Sequence, residues 1–79
     1  MGENEVPFTI DQVAQMVGVH KSVLRYWGKI FGIVTPRSAG NQRRYPQDQV
    51  DLLKRINELY AEGYATRGVR RQLVEDQAA

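Results

Sequence analysis

His20 and Ser22 are the residues best suited by type to covalent chemistry, and their spacing argues against it. His20 is the single histidine, the chain has no cysteine, and two neighbours this close on one helix cannot form a nucleophile–base pair with an orienting acid. Asp48 and Asp51 near the start of a helix suit its dipole but have no companion acid–base site. No second ligand at metal spacing accompanies His20, so no metal or other cofactor is expected, and without thiols there is no disulfide or redox switch. The expectation is a protein that is not an enzyme. What remains is charge. Lys21, Arg25, Lys29, Arg37, Arg43 and Arg44 all lie within residues 20–45, which contain no acid, whereas residues 1–19 contain Glu3, Glu5 and Asp11 and no cation. The net charge of +2 conceals this partition. A block of unmixed positive charge in a folded domain suits an anionic partner, nucleic acid first and an acidic membrane surface second.

The elements that must position those cations follow from periodicity. Thr9 and Gln12 stand at capping-box spacing, and Ile10, Val13, Ala14 and Val17 recur at helical intervals until Gly18. That is a first helix of about two turns. A second helix follows at once over "HKSVLRYWGKIF", which makes a helix-turn-helix pattern. On a helical projection, Val23, Leu24, Trp27, Ile30 and Phe31 share one apolar arc, with Lys21, Ser22, Arg25, Tyr26 and Lys29 opposite. A solvated amphipathic helix explains the segregation. Its second place in the motif and its lack of acids favour a helix that reads a ligand. Gly28 predicts either an early end to this helix or a close contact.

Next comes "TPRSAGNQRRYP", a short stretch with three arginines, no acid and a proline near each end. "IVTPR" and "QRRYP" are β-compatible arms around "SAGN", where Gly40 and Asn41 tolerate positive φ, so a small hairpin is expected. Tyr45 is expected to turn inward and Arg43 outward. The arginines suit phosphate, since a guanidinium pairs with it bidentately and stays charged. The longest helix follows over "QDQVDLLKRINELYAEG", with Val50, Leu52, Leu53, Ile56, Leu59 and Tyr60 on its apolar face. Asp51 with Arg55, and Lys54 with Glu58, stand at i,i+4 as surface pairs. Gly63 stops it. "YATRGVRRQLVEDQ" predicts a short fourth helix with Val69 and Leu73 inward and Arg67, Arg70 and Arg71 outward. Residues 75–79 read as a frayed end or the start of a linker, and residues 1–7 as a flexible N-terminus.

Seventy-nine residues permit one domain with a small core, and hydrophobic and charged contents of 42% and 25% are ordinary for a folded soluble chain. There is no apolar run of membrane-spanning length and no signal-peptide build, so a cytoplasmic protein is expected. The fold class expected is mainly α: a winged helix-turn-helix of four helices with a small β-hairpin wing over residues 8–74.

The order of "GV", "LRYW", "TPR…GNQRRY", "PQDQVDLL" and "EGY…RGVRRQL" closely resembles the DNA-binding domain of the mercury-resistance regulator (MerR) family, over about residues 8 to 74. The resemblance implies a transcriptional regulator that binds double-stranded DNA at a pseudo-palindromic promoter as a homodimer, and bends and untwists the DNA between half-sites. Arg25 and Tyr26 would lie on the recognition helix, with Trp27 at the adjoining family aromatic. Arg43 and Tyr45 would be the wing arginine and tyrosine, and Tyr64 and Arg67 would belong to a second, phosphate-contacting wing. With His20, Lys21, Ser22, Lys29, Arg37 and Arg44, these cations and phenols make up the expected DNA-contacting set. Two positions depart from the family pattern. Val23 stands where a small hydroxyl residue is usual, and His20 replaces the commoner serine N-cap, a weaker cap that offers phosphate a donor. The family's long dimerisation helix would begin about where the chain ends, so this segment alone is expected to be mostly monomeric. Two other readings compete: a DNA-bending architectural or excisionase-like accessory factor, and a protein-interaction module with Trp27, Tyr60 and Tyr64 as its surface.

Overall fold

A computed structural model of the chain describes residues 8–78. The N-terminal segment 1–7, expected to be flexible, lies outside the described residues. Four helices follow one another: α1 (Ile10–Val17), α2 (Lys21–Ile30), α3 (Gln47–Ala61) and α4 (Thr66–Ala78). The capping box at the start of α1 is formed, with the Gln12 N–H donating to Thr9 Oγ1 (3.2 Å) and the Thr9 N–H to Gln12 Oε1 (2.9 Å). Gly18 ends α1 in the left-handed region at φ 90°, where a Cβ would be strained. The chain then turns directly into α2.

The core takes Val13 and Val17 from α1, Leu24 and Trp27 from α2, Val50, Leu53, Ile56 and Leu59 from α3, Val69 from α4, and Tyr45. α1 packs on both α2 and α3, and α4 packs on α3. The remaining apolar residues of each predicted face, Ile10, Ala14, Val23, Ile30, Phe31, Leu52, Tyr60 and Leu73, are half-buried around this centre. Trp27 is 6% exposed and stacks on Tyr60 with ring centroids 5.6 Å apart. That removes Trp27 from any partner surface and corrects the interaction-module reading. The ring is committed to the core.

Of the two outcomes expected at Gly28, the early helix end is not seen, since α2 runs to Ile30; the chain instead folds back onto it, the Ile33 N–H donating to Gly28 O (2.9 Å). Three further expectations change. Arg55 pairs with Asp76 (2.9 Å) and Glu58 (3.4 Å), while Asp51 accepts from Gln47 instead (3.0 Å). Asp76 belongs to α4, and the helix stays regular through Ala78 where fraying from residue 75 was expected. Arg70 is turned back onto the fold rather than outward, because its guanidinium finds the end of α2.

Between α2 and α3 the arginine-rich stretch forms a tight turn. The Ser38 N–H donates to Gln42 O (2.8 Å), the Asn41 N–H to Ser38 O (2.8 Å) and the Arg44 N–H to Pro36 O (2.8 Å). Asn41 alone of the two expected residues takes positive φ, at 64°; Gly40 does not. In place of a laddered hairpin there are two isolated antiparallel bridges, Arg37 with Arg43 and Phe8 with Tyr45. Pro36 has no N–H to give a ladder, and arms this short cannot extend one. Tyr45 is buried as expected, at 3% exposure. Arg43 is half-buried and faces the same cleft as Tyr45, because residues two apart in extended chain share a face. The expected outward Arg43 is therefore corrected.

Candidate nucleic-acid interface

α2 begins at His20, whose Nδ1 accepts the Ser22 N–H (3.1 Å) and lies 2.9 Å from Ser22 Oγ. With Nδ1 accepting, the neutral ring carries its proton on Nε2. His20 thus caps the helix as a serine would. Lys21 reaches Asp11 across the turn (3.4 Å), an exposed pair of little strength that an anion can displace.

Because Leu24 and Trp27 point inward, helical geometry turns Arg25, Tyr26 and Lys29 outward; Tyr26 is 59% exposed. Across from them stands the arginine turn. Arg25 and Lys29 from α2 and Arg37 and Arg43 from the turn line one cleft, with Val34 and Thr35 along its side and Leu24, Tyr45 and Leu53 also in its lining. Among the described residues no acid lines this cleft. Asp11 lines an adjoining hollow that Arg25, Arg37 and Arg43 also border. The Arg37 guanidinium is steadied by Asn41 O (3.2 Å). Burial pushes the Tyr45 phenol above its ordinary value of 10.0, while the nearby guanidinia of Arg43, Arg25 and Arg37 pull the other way. The phenol therefore stays neutral beside these three guanidinia.

Of the remaining expected residues, His20 and Lys21 line a separate shallow hollow with Asp11, Ala14, Gln15, Gly18 and Val19. Ser22 spends its hydroxyl on His20. Arg44 lies between Arg43 and Tyr45 and is half-buried. Tyr64 at the α3–α4 turn and Arg67 in the first turn of α4 line none of these three concavities. There Tyr64 packs so closely on Gly68 that a Cβ at that position would stand 2.9 Å from the ring.

Two residues outside the predicted set hold this surface in place. The Arg70 guanidinium donates to Ile30 O at the end of α2 (2.6 Å) and lies 5.6 Å from the centre of the Phe31 ring. The Gln49 side chain grips the segment that leads into the arginine turn, donating to Val34 O (2.7 Å) and accepting from Thr35 Oγ1 (3.0 Å). Neither has a local signal in the sequence. Their partners lie 40 and about 15 residues away.

A helix-turn-helix whose second helix faces an arginine-bearing turn over an acid-free cleft defines the class of DNA-binding regulatory domains. The family model for MerR HTH family regulatory proteins matches residues 8–75, and the chain belongs to that family. It is a family of DNA-binding transcription regulators rather than enzymes. A Streptomyces coelicolor protein named for heat shock, HspR, is 34% identical over 80 residues, covering 98% of this chain and 52% of the relative. The chain therefore spans about half the length of that relative. No helix among the described residues is long and apolar enough to cross a membrane.

Proposed function

We propose that this chain is the sequence-reading head of a transcriptional regulator, with α2 entering the major groove and the arginine turn acting as a wing on the phosphate backbone. The observation that carries this reading is the convergence of Arg25, Lys29, Arg37 and Arg43 on one acid-free cleft from two successive elements, α2 and the turn that follows it. Like charges held together in this way repel, and an anion that spans them relieves the repulsion. Arg37 and Arg43 take phosphates, and Arg44 adds charge to the turn. Arg25, with Tyr26 and Lys29 beside it, faces base edges. His20 Nε2 and Lys21 meet the backbone at the start of α2, with Ser22 orienting the imidazole, and Tyr64 with Arg67 meets it again at the α3–α4 turn. The full-length protein binds as a homodimer on a pseudo-palindromic promoter, and this segment alone is mostly monomeric, since it has no seam long enough for a coiled coil.

Titration of a fluorescent duplex at several salt concentrations tests the reading. The logarithm of affinity should fall steeply with the logarithm of salt, by roughly 0.9 for each phosphate neutralised. A salt-independent affinity would exclude phosphate binding. Sedimentation at micromolar concentration should show a monomer, and a tight dimer would contradict the expected state of this segment.

A further inference from the structure

We propose that Gln49 is a positioning residue for DNA binding: through Val34 and Thr35 it fixes the root of the arginine turn against α3. This rests on the reading of that turn as a phosphate-binding wing.

The turn has two arms, and they are held differently. The descending arm is anchored by Tyr45, which is buried and whose N–H donates to Phe8 O (2.8 Å). The ascending arm runs from Ile33, half-buried and tied to Gly28 O, through Val34 and Thr35 to Pro36 and Arg37. Along that arm Val34 is 87% exposed, so its side chain supplies no packing. Pro36 lacks an N–H with which to bond inward. The Gln49 amide fills this gap. Its nitrogen donates to Val34 O (2.7 Å) and its oxygen accepts from the Thr35 hydroxyl (3.0 Å), so both ends of one planar group are used and its orientation is set. Gln49 sits in the first turn of α3 with its N–H on Pro46 O (3.0 Å), next to the fully buried Val50.

The consequence for binding is entropic. A guanidinium on a fixed arm meets a phosphate without first ordering the backbone that carries it, whereas a loose arm must be ordered on binding. Gln49 touches no partner in this account and acts only through Arg37 and Arg43. That makes a double-mutant cycle decisive, because a residue acting through others loses its effect when they are absent.

Gln49→Ala is to be compared with wild type in two backgrounds, the native chain and Arg37→Ala/Arg43→Ala, by titration of a random-sequence duplex at several salt concentrations. Alanine is a better helix former than glutamine, so α3 survives the change. Affinity should fall about five- to tenfold in the native background, in keeping with two lost side-chain hydrogen bonds, and not fall further in the arginine-less background. Amide exchange of Arg44 and Ser38, whose N–H groups close the turn, should speed up in Gln49→Ala while that of the core helices does not. Thr35→Val, which deletes one of the two contacts, should show the same pattern at smaller size. Equal losses in both backgrounds, or no loss in the native one while Arg37→Ala/Arg43→Ala weakens binding, would overturn the positioning role and leave the wing reading standing. If Arg37→Ala/Arg43→Ala binds as wild type, the wing reading falls and takes the role of Gln49 with it.

Discussion

The front of this domain and its back use the same residue for opposite ends. At the back, Arg55 is spent on Asp76 and Glu58, and Arg70 on Ile30 O and the face of Phe31. At the front, Arg25, Arg37 and Arg43 converge with Lys29 where no acid among the described residues shares the cleft. Arginine content therefore says little by itself. What distinguishes the two regions is whether the cation has been given a partner inside the fold. The back arginines join helices; the front ones line a cleft that contains no acid among the described residues.

Trp27 belongs to the core that carries both regions, so its loss should have the largest effect. Trp27→Ala removes a ring that is 6% exposed and stacked on Tyr60, and should cost ~3–5 kcal/mol, enough to abolish a cooperative thermal transition in a domain this small. A variant that kept the wild-type midpoint would show that the front is not built on this ring.

The front arginines should then separate by role. Arg25→Ala should weaken a specific site by ~1–3 kcal/mol more than random DNA if it makes a bidentate base contact. Arg43→Ala should weaken both about equally and flatten the salt slope by roughly one unit. Both should stay folded, by circular dichroism, since neither belongs to the core. An Arg43→Ala protein with wild-type binding at every salt would reduce the turn to a connector.

A smaller effect of the opposite kind is expected from Arg70→Ala. Loss of its bond to Ile30 O and its contact with Phe31 should cost roughly 1 kcal/mol, a drop of about 4–8 °C in midpoint. Phe31 lies edge-on to Tyr60, which stacks on Trp27, so the same variant should shift the emission of the single tryptophan. A large loss of DNA affinity with an unchanged midpoint would move Arg70 from the back to the front.

The smallest effect concerns pH. Tyr45 titrates above its ordinary value of 10.0 because burial disfavours the phenolate. The folded state therefore holds this proton more tightly than the unfolded chain. That stabilisation is fully present below about pH 10 and is lost as pH rises through the raised folded value. Thermal midpoints of Tyr45→Phe should fall less steeply than wild type above pH 10, and parallel curves would count against a shifted Tyr45.

Much of this architecture was readable from the sequence. The four helices, the Thr9–Gln12 capping box, the stops at Gly18 and Gly63 and the inward faces of α2 and α3 depend on residues three or four apart, whose relative positions the helical backbone dictates. The separation of acid-poor front from acid-containing ends was visible in the same way. Local spacing misled where several partners competed. Asp51 stands one turn before Arg55, yet Arg55 turns to Asp76, which only the packing of α4 on α3 brings near. Alternation along a strand places Arg43 on the face of Tyr45 regardless of how many cations precede it.

What the tertiary structure alone decided is which cations meet and what holds them there. Arg25 and Arg43 are neighbours only because the chain reverses after α2 and returns through a turn whose foot is gripped by Gln49, while Arg70 seals the far end of the same helix. Those contacts join residues about 15 and 40 positions apart, and a pairing at that distance is set by how the apolar faces of α1, α2, α3 and α4 close on one another. Periodicity determines which way a side chain faces on its own element. The packing of those elements determines what it finds there.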